Sequence, residues 1–259
     1  MWRNWRRQRW LSTHRLPDCA WQAATSRITL LDGLTTEEQA RLRDLTSLFL
    51  REKTFEGAHG LQVTETMRLV ISMQACLPIL NLGLDYYDGW VEMLVYPGGF
   101  RARHEFHDEA GVVHVEDREM TGEAWSRGPV ILSWEDIRED LDHPGHGYNV
   151  VIHEMAHKLD MLNSDANGFP PLHRGMVPAR WADAFSTAYQ TLASAVDEGV
   201  ESLLDPYAAS SPEEFFAVAS EAFFDAPRIL AEGFPGVYEQ LRLFYRQDTL
   251  RRGRQRCHP

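Results

Sequence analysis

Residues 149–160 read Asn149-Val-Val-Ile-His-Glu-Met-Ala-His-Lys-Leu-Asp160, and the organisation of the whole chain follows from this segment. His153 and His157 are four positions apart, so a helix places them on one face about one turn apart, where both imidazoles can reach one metal ion. Glu154 follows the first histidine and can act on a water molecule at that ion without being a ligand. The other positions are largely apolar, and a buried helix does not bury two histidines and a glutamate without partners. The segment therefore predicts a buried helix over 148–161 that carries two zinc ligands, His153 and His157, and a general base, Glu154.

A catalytic zinc site needs a third protein ligand and an open position for water. The metzincin pattern requires glycine at position 160 and histidine at position 163, and this chain has Asp160 and Asn163 instead, so that class is excluded. We expect Asp160 to orient an imidazole or to anchor the loop that follows it. His173 is a weaker candidate ligand because it lies in a proline-rich loop.

The stronger candidates for the third ligand lie on a predicted helix over 212–224. Glu214 and Glu221 are seven residues apart, which places them two turns apart on one face of that helix. The spacing favours Glu214 as the ligand. It leaves Glu221 open as an alternative ligand or as an acceptor for a ligand histidine.

Composition indicates a globular protein that carries an excess of acid. The chain has 259 residues, of which 44% are hydrophobic and 25% are charged, and it is long enough to bury a core without disulfides. The net charge of −12 argues against broad binding of nucleic acid, so no direct nucleic-acid partner is expected.

The cysteines and the chain start predict a cytoplasmic protein. The three cysteines are widely spaced and form no Cys-x-x-Cys pair, which is typical of a reducing compartment. The first residues contain no apolar core of a secretory signal, and the most apolar stretch, 69–84, is too interrupted to span a bilayer.

Both ends of the chain are basic. Residues 1–15 hold five arginines and residues 251–259 hold four, and neither segment contains an acid. We interpret 1–15 and 251–259 as solvated, frayed tails that flank a single domain over 16–250. A contact with an acidic partner or a membrane surface is the sharper alternative, since Trp2, Trp5 and Trp10 lie among the N-terminal arginines.

The remaining patterns predict an α+β fold with a small mixed or antiparallel sheet. Strands are predicted early in the chain and most helices late, which is not a repeating βαβ pattern. The predicted strands are 93–96, 112–115 and 130–134. The predicted helices are 36–52, 64–77, 135–141, 148–161, 179–198, 212–224 and 236–246, and a long loop is predicted over 162–178.

Four segments in order resemble a known family. They are Leu77-Pro-Ile-Leu, Gly128-Pro-Val-Ile-Leu-Ser-Trp134, the 149–160 segment, and Tyr207-Ala-Ala-Ser-Ser-Pro-Glu-Glu-Phe-Phe-Ala217. Together they resemble the Mlc titration factor A family of bacterial zinc peptidases over residues 16–250. The resemblance implies a zincin-like fold of the gluzincin type, with an HExxH active-site helix and a catalytic domain similar to that of anthrax lethal factor.

The resemblance also implies roles for individual residues. One Zn²⁺ would be bound by His153, His157 and Glu214, with Glu154 as the base. Tyr207, seven residues before the ligand glutamate, would stabilise the oxyanion. The resemblance thus favours Glu214 over Glu221 as the third ligand.

The implied function is a cytosolic zinc metallopeptidase with aminopeptidase-like activity on peptides, which also binds the transcriptional repressor Mlc. The alternative is a latent or non-catalytic zinc-containing regulator that acts only by binding a transcription factor. Glu154 favours the enzyme, because a purely structural zinc has no use for a base beside it. The expected partners are a peptide or protein substrate and a repressor resembling Mlc.

Overall fold

The chain is mostly helical with a small sheet. The computed structural model describes residues 2–107, 113–120, 122–124, 128–163 and 165–255, with side chains described outside 100–127 and 253–255. The helices are α1 Trp2–His14, α2 Asp18–Thr25, α3 Thr36–Glu52, α4 Glu65–Cys76, α5 Trp134–Asp142, α6 Val150–Asp160, α7 Pro178–Asp197, α8 Pro212–Asp225, α9 Pro227–Gly233, α10 Pro235–Tyr245 and α11 Thr249–Gln255. Short 3₁₀ turns cover Thr29–Leu31, Leu84–Tyr87 and Pro206–Ala209.

The strands are β1 Thr54–Gly57, β2 Glu92–Tyr96, β3 Phe100–His107, β4 Val113–Met120, β5 Gly122–Ala124 and β6 Val130–Ser133. One sheet has the order β1-β2-β6-β5, in which β1, β2 and β6 are parallel and β5 pairs antiparallel with β6. Strands β3 and β4 form a separate antiparallel pair. The predicted α+β class is confirmed, and the main sheet is mixed around three parallel strands.

The predicted elements near the centre of the molecule agree with the structure. Thr35 and Glu38 form a capping box that starts α3, because each side chain accepts from the other residue's backbone N–H. Strands β2 and β6 and helices α4 to α8 and α10 cover the predicted segments to within a few residues. The strand predicted over 112–115 corresponds to the start of β4, and residue 112 lies outside the described residues.

The core lies where α6 and α8 pack against each other and against their neighbours. Asn149 caps the N-terminus of α6, because its side-chain oxygen accepts the N–H of Ile152, and almost every residue of the helix is buried. Ser211 caps the N-terminus of α8, whose first residue is Pro212, and the aromatic residues of this helix are fully or nearly fully buried. Trp181 of α7 extends the core by stacking on Phe185, with ring centroids 4.2 Å apart.

The basic ends differ from the frayed tails that the sequence suggested. Residues 2–14 form a helix whose Arg7 is only 7% exposed, and its guanidinium pairs with Glu52 at 2.8 Å and with Asp85. At the other end Arg252 is buried and pairs with Glu38 at 3.1 Å. The prediction of solvated ends is therefore wrong for these residues. Composition alone cannot show that an arginine has an acidic partner 45 or more positions away.

Among the described residues, no helix combines the length and the apolar character that crossing a bilayer requires.

Loss of the Arg7 guanidinium is expected to loosen α1 from the rest of the protein. Arg7→Ala leaves the carboxylates of Glu52 and Asp85 without their buried partner, and removing one member of a part-buried pair costs about 1–3 kcal/mol of unfolding free energy. Urea unfolding measures this loss. Arg6→Ala, at an exposed position of the same helix, is the control and should change the unfolding free energy by less than about 0.5 kcal/mol. Equal effects of the two substitutions would show that Arg7 does not anchor the helix.

Candidate metal centre

Helices α6 and α8 bring three ligand-type atoms together. His153 Nε2 lies 3.1 Å from His157 Nε2 and 3.0 Å from Glu214 Oε2, and His157 Nε2 lies 3.4 Å from the same carboxylate oxygen. Zinc binds such atoms at about 2.0–2.2 Å, so three of its tetrahedral ligands lie about 3.3–3.5 Å from one another. The separations are close to this requirement, and no other group of three such side chains is found among the described residues. The donor set therefore fits a zinc ion.

Glu221 contacts His153 at Nδ1, the ring nitrogen that does not face Glu214. Its Oε1 lies 2.7 Å from His153 Nδ1, and its Oε2 accepts the backbone N–H of Asn149 at 2.5 Å. A carboxylate on Nδ1 keeps the proton there and directs the lone pair of Nε2 toward the other ligands. The sequence left Glu221 open as a ligand or as an acceptor, and the structure gives it the acceptor contact.

Gln74 and Asn149 continue this polar network into the core. Asn149 Nδ2 donates to Gln74 Oε1 at 2.6 Å, while Asn149 Oδ1 caps α6. Gln74 is fully buried on α4, so the network links three helices behind the histidines. Sequence reasoning did not identify Gln74. Its polar side chain inside the apolar run of α4 was the only available signal.

His153 and Glu214 shift each other's pKa values. Burial opposes a charge on His153, but the carboxylates of Glu221 and Glu214 outweigh burial and raise the pKa of this histidine well above its usual range. Burial would raise the pKa of Glu214, yet hydrogen bonds and attraction from His153 and His157 lower it far below its ordinary value. The cluster thus favours positive charge at the point where the histidines and Glu214 meet.

Glu154 lies on α6 beside these residues but is not one of the three converging groups. It is 2% exposed, and its Oε2 has no hydrogen-bond partner within the described part of the chain. Burial raises the pKa of Glu154 to about 7, against the attraction of the two histidines. A buried carboxylate with an unpaired oxygen and a pKa near neutrality has the properties of a general base.

Tyr207 lies at the open side of the cluster. Tyr207 is 42% exposed, and its ring centroid lies 6.3 Å from that of His153. The 3₁₀ turn that carries it begins at Asp205, whose carboxylate accepts the backbone N–H of Tyr207 at 2.8 Å. The structure thus places Tyr207 near the histidines.

The other candidates have different roles. Asp160 Oδ2 accepts the backbone N–H groups of Asn167 and Gly168, each at 2.7 Å. It therefore anchors the loop after α6, which is one of the two roles that we expected for it. His173 does not join the cluster, because its Nε2 contacts the carbonyl oxygen of Phe244 at 2.7 Å and its Nδ1 lies 3.3 Å from the Tyr86 hydroxyl.

Comparison with known proteins agrees with this geometry. The profile of the glucose-regulated metallo-peptidase M90 family matches residues 2–246. The chain belongs to this family. The match begins at residue 2, so it includes α1, which lies outside the range 16–250 over which the sequence resembles the family.

Three relatives show the extent of the similarity. Mlc titration factor A of Cronobacter sakazakii is 39% identical over 255 residues, which cover 96% of this chain and 95% of the relative. Mlc titration factor A of Salmonella arizonae is 39% identical over 242 residues, covering 91% and 93%, and that of Salmonella typhimurium is 39% identical over the same length, covering 91% and 88%. The resemblance to the Mlc titration factor A family is confirmed. Membership of a metallopeptidase family implies a metal, which agrees with the ligand-type cluster.

Glu221→Gln is expected to weaken zinc binding about 10–100-fold without removing a ligand. The carboxylate accepts from both Asn149 N–H and His153 Nδ1, whereas an amide has one acceptor oxygen and must turn its NH₂ group toward one of these donors. Competition with a chelator of known affinity measures the change. Glu213→Gln, a change of the same chemistry on the first turn of α8, is the control and should leave zinc affinity unaltered.

Glu214→Ala gives the comparison that separates a ligand from its support. Loss of Glu214 should abolish tight zinc binding, a larger effect than that of Glu221→Gln, because Glu214 is the one of the two glutamates whose carboxylate approaches both Nε2 atoms. Full zinc occupancy in Glu214→Ala, together with its loss in Glu221→Ala, would show that the third ligand is Glu221.

Proposed function

We propose that this protein is a cytoplasmic zinc-dependent metallopeptidase of the gluzincin type, with one Zn²⁺ per chain and a peptide or protein as substrate. The observation that carries the proposal is the convergence of His153 Nε2, His157 Nε2 and Glu214 Oε2 to within 3.4 Å of one another beside the buried carboxylate of Glu154. Two histidines and a glutamate with an adjacent base form the donor set of a hydrolytic zinc site.

The residues of the site divide the work of peptide hydrolysis. Zinc bound there would polarise the peptide carbonyl and make water more acidic. Glu154 takes the proton of the attacking water and then delivers it to the leaving amine. Burial raises the pKa of this carboxyl group, so it retains a proton more readily than an exposed glutamate does. Glu221 keeps His153 in one orientation throughout, since its contact is with the opposite ring nitrogen.

We propose that the Tyr207 hydroxyl donates a hydrogen bond to the carbonyl oxygen of the substrate, which becomes negatively charged in the tetrahedral intermediate. Its position at the exposed side of the histidines supports this role, because the substrate must enter from solvent. A pre-placed donor stabilises the developing charge more than it stabilises the neutral carbonyl.

A regulatory role is proposed alongside the chemistry. Curated relatives at 39% identity are named Mlc titration factor A, which suggests that this chain also binds a transcriptional repressor of the Mlc type. The same resemblance supports aminopeptidase-like cleavage of peptides. The alternative is a latent zinc protein that acts only through such a partner, and the buried Glu154 favours the enzyme.

Glu154→Gln is expected to retain zinc and to lose turnover, because the amide keeps the shape of the side chain but cannot accept a proton. Wild-type and variant proteins, both loaded with zinc, are given a pool of peptides of mixed length, and products are identified by mass spectrometry. Cleavage by the wild type alone establishes the enzyme, and removal of single N-terminal residues establishes an aminopeptidase. Wild-type turnover in the variant would disprove the role of Glu154. If neither protein cleaves any peptide, the latent regulator is favoured. A pull-down with an Mlc-type repressor then tests whether the protein binds such a partner.

Tyr207→Phe is expected to lower kcat about 10²–10³-fold with little change in KM, since the hydroxyl acts on a charge that exists only in the transition state. Steady-state kinetics on a peptide found in the pool measure both constants. Tyr238→Phe is the control, because its hydroxyl donates to Asp248 at 3.1 Å, away from the histidines and from the turn that carries Tyr207. A Tyr207 variant with normal kcat would show that another group stabilises the oxyanion.

A further inference from the structure

Helix α1 divides its tryptophans between two sides. Trp10 is partly buried against the core and has Arg51 over its ring at 4.8 Å. Trp2 and Trp5 are 73% and 55% exposed, which are high values for the largest side chains in proteins. The family chemistry at the metal centre gives these two side chains no role.

The exposed side of α1 is distinct from the side that docks it. Arg7 and Leu11 are one turn apart and buried, and Arg3 joins Arg7 in ion pairs with acids of the body. At helical spacing Trp2, Trp5, Arg6 and Arg9 lie on the opposite side, together with Ser12 and Thr13. All six are exposed. We call the set Trp2, Trp5, Arg6 and Arg9 the outer face of α1.

Arginine and tryptophan are paired on this outer face. The guanidinium of Arg6 lies 5.4 Å from the ring centroid of Trp2, and that of Arg9 lies 5.5 Å from the ring centroid of Trp5. Each pair combines a flat amphipathic ring with a cation that binds phosphate through two parallel hydrogen bonds. Residues 1–15 contain no acidic side chain, so no carboxylate of this segment competes for these cations.

We propose that the outer face of α1 is a contact surface for a bilayer that contains anionic phospholipid. Tryptophan rings favour the level of the lipid headgroups, and arginines at that level gain the attraction of the negative surface. The guanidinium groups of Arg6 and Arg9 bind lipid phosphates while the rings of Trp2 and Trp5 lie among the headgroups. The contact is peripheral and reversible, since it uses two rings and two cations.

The acidic body does not prevent this contact. The chain carries −12 overall, but charges farther than the Debye length of about 8 Å from the membrane are largely screened at physiological salt. The acids that form ion pairs with α1 are Asp85, Asp88 and Glu52, and Arg3 and Arg7 on the docking side of the helix are their partners. The charge that the outer face presents is therefore positive where it meets the surface, and high salt should weaken the binding.

Cosedimentation of the full chain with sucrose-loaded vesicles tests the proposal. We expect binding to vesicles of equal parts phosphatidylcholine and phosphatidylglycerol, and no binding to phosphatidylcholine alone. Each arginine at an anionic surface contributes about 1 kcal/mol, and about 1.4 kcal/mol corresponds to a tenfold change in affinity. The double substitution Arg6→Gln/Arg9→Gln should therefore weaken binding roughly thirtyfold. Trp2→Ser/Trp5→Ser should abolish pelleting. Arg27→Gln/Arg228→Gln, which removes the same charge from two exposed positions elsewhere, is the matched control and should change binding less than about twofold.

A second measurement uses the wild-type protein alone. Lipids brominated near the headgroup should quench part of the tryptophan fluorescence, and high salt should reverse the quenching. Failure to bind anionic vesicles, equal binding to neutral vesicles, or equal loss in the Arg27/Arg228 control would overturn the proposal. So would binding to polyglutamate without binding to vesicles, which would indicate an acidic protein partner instead. None of these outcomes depends on zinc or on peptide cleavage.

Discussion

The contact between Glu221 and His153 joins the two helices on which the site depends. The Glu221 carboxylate contacts His153 Nδ1 and accepts the N–H of Asn149, so it fixes the His153 ring and the start of α6 at the same time. Because Glu221 lies two turns along α8 from Glu214, the same contact sets the position of Glu214, the proposed third ligand. Gln74 then ties Asn149 to α4. A shift of either helix would separate the three ligand-type side chains and leave buried polar groups without partners, which is costly in an apolar core.

Local patterns in the sequence were enough to predict α6, α8 and the residues on their facing sides. The spacing of His153 and His157 specified one helical face, and Glu214 and Glu221 specified another, because helical geometry is set by the backbone. Spacing could not decide between the two glutamates. That decision depends on how far α8 slides along α6, a property of tertiary packing that places Glu214 at the Nε2 atoms and Glu221 at Nδ1.

Long-range partners of charged residues were the part that the sequence did not reveal. The only two lysines of the chain are both buried: Lys53 donates to the carbonyls of Tyr87 and Trp90 at 2.6 Å, and Lys158 donates to that of Gly128 at 3.0 Å. Lys158 thereby fastens the segment before β6 to α6. Burial lowers the pKa of each lysine to about 8. Composition treats such residues as surface charge, and only the fold shows that they cross-link backbone segments, as Arg7 does for α1.

The chemistry of the cluster explains why so much acid is buried in it. Glu154, Glu221 and Asp160 are all nearly inaccessible, and burial raises the pKa of each. A core selected for stability alone would fill these positions with apolar residues, because even a paired buried charge seldom repays its desolvation. Asp160 and Glu221 recover part of that cost through backbone N–H donors, whereas Glu154 Oε2 has none in the described part of the chain. The acid with the fewest hydrogen bonds is the one beside the three converging ligand-type side chains, which is the arrangement expected where stability is given up for reactivity.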